Sequence, residues 1–328
     1  MATCSTLSDG VITTGIKIAG TKSFRLSCSK LLGIYGVNLQ NPPEGLLRCI
    51  KPRSSLNTFC QVDQSGAESL VVAYESEAGL YRRLAEEGVK PHVYVALHLF
   101  IDKFRASHPR DRYWKKDPAE LKSLPEWKDL LKQIKNSGAP YKLGKMTNHA
   151  RSYKMKWPTF QLSVLTQSEG KLALSNAESK DFLQIWDELF PEVLAWQDKT
   201  EATVLETRRL VNLFGYPRDF FGKMNDSLIR EAISWVPQSS VGVITHIAYR
   251  KAWDTFPSSW KLLGQKHDSF LCECPITDSP DCCKAMSKCI ELDLTSTTGN
   301  KFKMKSEAST GLNLAKYSPD NLDGMKEV

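Results

Sequence analysis

The sequence predicts a mixed α/β (α+β) chain in which antiparallel strands from both ends flank a long helical middle. Two stretches carry that prediction. From Leu262 to Cys274, apolar residues lie on both sides of a solitary His267-Asp268 pair, the pattern of two short strands joined by a tight turn that lifts a carboxylate at its tip. Far upstream, Asn57 to Glu68 is a strand-like run that ends in Asp63 and passes into a helical pattern. Singly, each aspartate reads as a turn or cap residue. Two aspartates on adjacent strand ends, however, suit a pair of divalent ions that activate a hydroxyl nucleophile and stabilise a leaving pyrophosphate.

The 328 residues, 41% apolar and 25% charged, can bury a substantial core in one large or two modest domains, which excludes a disordered chain or a fibre. A net charge of +7 suits a polyanionic partner without selecting one. The nine cysteines (4, 28, 49, 60, 272, 274, 282, 283, 289) include no C-x-x-C pair, so neither a disulfide framework nor a zinc ribbon is indicated, and reduced thiols in an intracellular protein are expected. The crowd from Cys272 to Cys289 reads as packing of a strand and a helix, and no metal is expected there. Met1 to Lys22 lacks the pattern of a signal peptide, and no run is long enough to cross a bilayer, so no membrane association is expected.

In chain order, residues 1–20 alternate weakly and predict an edge strand, and the polar segments Thr21 to Ser29 and Asn38 to Pro43 read as loop. Ser76 to Leu84 predicts an amphipathic helix. Residues 101–138, with Arg110, Trp114 and Trp127, read as a helical hairpin or loop with a basic, aromatic surface, a solvated insertion in preference to a surface for single-stranded template. Lys145, His149 and Tyr153 recur every four residues and share one helix face. Glu178 to Thr207 predicts helix broken at Pro191, with Phe182, Ile185, Trp186, Leu189 and Phe190 as core. A hairpin is expected to Phe220, and then a long helix from Ser227 to Trp253 interrupted near Pro237. Asp281 to Leu292 predicts a short helix, followed by a sheet edge from Lys301 and a flexible end.

Arg25-Leu26-Ser27 followed by Asn38-Leu39-Gln40-Asn41-Pro42 resembles the R-L-S…N-L-Q-N-x-P signature of the family A DNA polymerases, the bacterial DNA polymerase I and phage replicative polymerase family. Asp63 to Glu68 stands where that family has D-x-S-x-x-E, and His267-Asp268-Ser269 where it has H-D-E. His92 resembles the histidine of its D-I-H-x-x-x-A segment, and Pro237-Gln238-Ser239 its P-Q-S/G-T segment.

The resemblance covers about Thr21 to the C-terminus. It implies an antiparallel-sheet palm (residues 1–75 and 246–328) with a large helical fingers insertion (76–245, with 101–138 variable) and no thumb or exonuclease domain. It implies a DNA-directed DNA polymerase using two Mg²⁺ held by Asp63, Asp268 and the Gln64 backbone, with Lys145 as a further catalytic residue. Glu68, His92, Lys142, Lys145, His149 and Tyr153 would hold the nucleotide, and Arg25, Asn38, Gln40, Gln238 and His267 the DNA. Implied partners are primer-template DNA, dNTPs and a separately encoded thumb, exonuclease or processivity subunit, inside a cell, the host cytoplasm if phage-encoded. Three positions depart from the pattern: Tyr141 replaces an arginine, His149 an aromatic residue and Ser269 the third acid. Ser269, Tyr141 and the absent thumb argue for the alternative of an impaired, polymerase-like DNA-binding or accessory protein, and the retained Asp63, Asp268, Lys145 and Glu68 argue against it.

Overall fold

The computed structural model of the chain describes residues 10, 12, 14–18, 20–29, 38–40 and 42–328. Near the N-terminus, β1 (Gly15–Lys17) pairs antiparallel with β2 (Ser27–Ser29), so part of the polar stretch expected as loop is strand, its backbone groups satisfied by that pairing. Residues 1–9, 11, 13 and 19 of the expected edge strand, the spacer at 30–37 and Asn41 lie outside the described residues. After α1 (Glu44–Cys49) comes β3 (Asn57–Gln64). It buries Thr58, Cys60, Val62 and Gln64 on one face and leaves Asn57, Gln61 and Asp63 half-buried on the other, the alternation a pleated strand imposes. Gly66, at φ +58°, turns the chain into α2 (Ala67–Glu75).

The helix expected from Ser76 to Leu84 is interrupted: α3 (Leu80–Glu86) begins only after Gly79. A Cβ on Gly79 would collide with the Glu192 carboxylate, which instead accepts a hydrogen bond from the Tyr81 backbone N–H at 2.6 Å at the start of α3. Next come α4 (Pro91–Leu99), α5 (Ile101–Phe104), α6 (Pro118–Ser123) and α7 (Trp127–Lys135). In contrast to the solvated insertion expected over 101–138, Tyr113, Leu121, Trp127, Leu130 and Ile134 are buried in the helical core. Part of the charge there is paired, as in the bidentate contact of Arg112 with Glu126 at 2.5 and 3.0 Å.

The helices α8 (Ala139–Ser152), α9 (Trp157–Gln167), α10 (Asn176–Leu189) and α11 (Pro191–Thr207) complete that layer, α10 opening on a reciprocal Ser175–Glu178 capping box. Phe182, Trp186, Leu189 and Phe190 are buried as expected, and Trp186 Nε1 donates to Asn148 Oδ1 of α8 at 3.1 Å. The hairpin of β4 (Arg209–Val211) and β5 (Pro217–Asp219) precedes α12 (Asp226–Thr255). That helix runs across Pro237 where an interruption was expected. A proline inside a helix removes one backbone bond at about 3 kcal/mol, and burial of Trp235, Val236, Ser239 and Val241 around it offsets the loss.

The chain closes with β6 (Lys261–Lys266), β7 (Ser269–Pro275), α13 (Ser279–Ile290), β8 (Asp293–Thr295), β9 (Lys301–Lys303), β10 (Ser306–Gly311) and β11 (Lys326–Glu327). The main sheet is antiparallel, ordered β11-β10-β3-β7-β6, with α13 packed on β3 and β10. The tail does supply a sheet edge, in β11, but it is not a flexible end, and its β10 is an inner strand beside β3. Asn313 and Asn321 exchange side-chain hydrogen bonds at 2.8 and 3.1 Å, and the Val328 N–H reaches the Ala308 carbonyl at 3.1 Å.

Two compact units divide the chain. Residues 1–67, 237–295 and 301–328 form the sheet-bearing unit, and 68–236 with 296–300 form the helical unit. Among the described residues no helix is long and apolar enough to cross a membrane.

Candidate active site

In the sheet-bearing unit, β3 and β7 pair with Asp63 opposite Ser269, and β6 and β7 close on a two-residue turn made of His267 and Asp268. His267 holds φ +49°, a conformation costing a non-glycine residue about 1 kcal/mol, and the surroundings fix it there. The Gln64 N–H donates to the Asp268 carbonyl at 3.0 Å, and Thr245 Oγ1 of α12 lies 3.1 Å from the His267 carbonyl. The buried Gln64 side chain donates to Thr245 Oγ1 at 2.7 Å and to the Val241 carbonyl at 3.1 Å. The residue after Asp63 therefore braces the turn that carries Asp268.

Burial, and then the negative charge of Asp268, push the Asp63 carboxyl above its ordinary value, while a 2.9 Å hydrogen bond from Gln61 Nε2 opposes the shift. A pair of carboxylates that raises one member's pKa is short of positive charge. With the Gln64 carbonyl these groups are hard oxygen donors of the kind Mg²⁺ takes, so the residues present fit the ion. Ser269, where the family that the sequence resembles has an acid, is buried on the strand beside Asp63, its Oγ donating to the Lys266 carbonyl at 3.0 Å. A carboxylate missed from sequence comes from the other side: Glu307 of β10 stands opposite Asp63 on the same sheet face and accepts from Ser65 Oγ. Its only sequence signal was its place in a strand assigned to the sheet edge.

Of the expected DNA contacts, Arg25, His267 and Gln238 are half-buried and Asn38 is exposed, its Oδ1 accepting from the Gln40 N–H at 3.0 Å. Gln40 does not face outward: it is 5% exposed, and its amide nitrogen donates to the Leu26 carbonyl at 3.0 Å, binding the two halves of the signature together. His246, unnoticed in the sequence, ties the same segment down, with Nε2 2.7 Å from the Phe24 carbonyl and Nδ1 3.1 Å from Gln265 Oε1. Gly242 permits this approach, because a Cβ there would sit 3.0 Å from the Ser23 carbonyl.

In the helical unit, α8 lies so close on α4 that a Cβ on Gly144 would come within 2.5 Å of Ala96 Cβ and 2.7 Å of the His92 carbonyl. This proximity sets Tyr141 and Lys145 beside His92. The Tyr141 hydroxyl lies 3.0 Å from His92 Nε2, so this tyrosine is a partner of the histidine. Burial, and then Lys145, Lys90 and Lys135, lower the His92 pKa to about 4, which leaves the ring neutral at pH 7 among lysines. Lys142 and Lys145 are exposed one turn apart. His149 is exposed, edge-on to Tyr153 at 5.2 Å, and the buried Tyr153 donates its hydroxyl proton to the Glu68 carboxylate.

Two outcomes follow from this electrostatics. The unfolded Asp63 carboxyl ionises near 3.8 and the folded one higher, so the folded chain holds the extra proton in that window and loses stability as pH rises through it. In Mg²⁺-free buffer, Asp63→Asn will be more stable than the parent above the window and equal to it below, as read by urea unfolding across pH; parity throughout would show that Asp63 carries no such penalty. His92 will titrate near 4 by NMR, and inorganic triphosphate will shift that value upward, less so in Lys145→Ala. An unmoved His92 would remove it from any phosphate site.

No protein-family model and no curated protein matches the chain. Among solved structures, the POL domain of Pol1 from M. smegmatis, in complex with DNA primer-template and dNTP, is similar at TM-score 0.64 and 17% identity over 94% of this chain. The match covers 48% of that chain, so this chain spans about half its length. At this identity the likeness is one of fold: the chain has a mixed α/β fold like the palm and fingers of a DNA polymerase.

Proposed function

We propose that the chain is the catalytic module of a template-directed DNA polymerase of the family A type, adding deoxynucleotides to a primer 3′-hydroxyl. The observation that carries this reading is the braced pair Asp63 and Asp268, with Asp63 raised by burial and by its neighbour's charge. Two Mg²⁺ ions bound there would lower the pKa of the primer hydroxyl and neutralise the triphosphate. Asp63, Asp268 and the Gln64 carbonyl hold those ions, and Lys145 with neutral His92, and Lys142 one turn away, bind phosphate oxygens. Glu68, its carboxylate oriented by Tyr153, crowds the sugar C2′ and rejects ribose, and His149 packs beside that sugar. Arg25, Asn38, Gln238 and His267 contact the primer-template, and a separately encoded subunit supplies further grip on the duplex, since phosphate contacts carry most of the affinity. The reaction takes place inside the cell, in the host cytoplasm if the chain is phage-encoded.

A second reading, a non-catalytic DNA-binding accessory protein, draws on Ser269 in place of an acid and Tyr141 in place of an arginine. Primer extension with Mg²⁺ and dNTPs separates the two. The parent will extend, and Asp63→Ala or Asp268→Ala will lose about 10³-fold or more in rate while keeping DNA affinity, because several kcal/mol of charge stabilisation disappear. Equal rates would refute the two-metal assignment, and an inactive parent that binds DNA would favour the accessory reading. Glu68→Ala will admit ribonucleotides, raising their incorporation relative to deoxynucleotides by about tenfold or more. Unchanged sugar selectivity would remove Glu68 from that role.

A further inference from the structure

The face of β3 opposite Asp63 carries different chemistry. Cys60 of β3, Cys274 of β7 and Cys282 of α13 place their Sγ atoms all within 4.8 Å of one another, each side chain 0% exposed. Cys60 Sγ and Cys274 Sγ are 3.6 Å apart. Four thiolates around a tetrahedral zinc with bonds of about 2.3 Å lie about 3.8 Å from one another, so this spacing is that of neighbouring ligands. Two further thiols border the three. Cys272 stands in register opposite Cys60, and Cys283 follows Cys282 on α13.

Cys283 lines a cavity of about 340 Å³ between α13 and β10, with Ser279, Lys284, Ser287, Thr310 and Val328 around it. Soft sulfur donors in a closed, buried set select zinc over the hard ions that suit the carboxylate face of the same strand.

We propose that Cys60, Cys274 and Cys282 form a structural zinc site, with Cys272 or Cys283 as fourth ligand, that clamps α13 onto the sheet. Binding releases the thiol protons and leaves the oxidation state of sulfur unchanged. The proposal stands apart from the polymerase reading.

The protein purified without chelator from zinc-supplemented cells will contain about one zinc per chain by mass spectrometry of the digested protein. Exchange with Co²⁺ will give the intense thiolate-to-cobalt charge-transfer absorption of a tetrahedral site. Cys274→Ser and Cys282→Ser will lose both signals, whereas Cys49→Ser, at an exposed thiol, will keep them. A strong chelator will lower the melting temperature of the parent and leave that of Cys282→Ala unchanged, which keeps the test readable if the serine variants fold poorly. Less than a tenth of an equivalent of zinc together with no cobalt–thiolate band would overturn the proposal and make the thiols packing residues. Full metal content in Cys274→Ser and Cys282→Ser would place the zinc elsewhere and overturn it equally.

Discussion

The antiparallel register of β3 with β7 sets Asp63 opposite Ser269 and Cys60 opposite Cys272, and most of the sheet-bearing unit's chemistry follows from it. Because side chains alternate with a period of two, a slip of one residue would carry Asp63 to the buried face and Cys60 to the acidic one. The register is held at its open end by Gln64, whose backbone N–H meets the Asp268 carbonyl while its side chain is locked on Thr245 and Val241. At the other end, Glu273 accepts from the Arg53 N–H and from Asn57 Nδ2 at 3.1 and 2.8 Å. One strand thus presents hard oxygen donors on one face and soft sulfur donors on the other.

The acidic face of the candidate active site is electrostatically frustrated. Asp63 is raised by burial and a like charge, and His267 holds a backbone conformation that suits glycine better. Both conditions disfavour the folded chain taken alone, and structure that over-determines them is what keeps them in place. The helical unit has the opposite imbalance: His92 is kept neutral by three lysines and burial, beside a tyrosine hydroxyl, in surroundings that an anion would relieve.

The tail alters how the acidic face is understood. β10 enters the sheet beside β3 and brings Glu307 to the row that holds Asp63 and Ser269, so the position of the missing acid in the turn does not set the number of carboxylates on that face. The last residues earn this central place through an Asn313–Asn321 clamp and the close passage of Gly311 past Gly324, where a Cβ would come within 2.7 Å of backbone.

Local pattern determined a good deal by itself. The strand ending in Asp63, the turn at His267-Asp268, the stripe of Phe182, Trp186 and Leu189, and the break at Pro191 are all signalled within about a dozen residues, because alternation, helical spacing and proline geometry act over that range. What only the tertiary structure decided depends on partners distant in the chain. The break at Gly79 is set by Glu192, and the burial of the 101–138 segment by helices on either side of it. Tyr141 becomes the partner of His92 because Gly144 lets two helices touch, and Gln40 turns inward to Leu26. Cys60 joins cysteines more than two hundred residues away through strand pairing. Sequence spacing cannot express such meetings, since strand register and helix packing bring together residues whose separation along the chain carries no information about their distance in space.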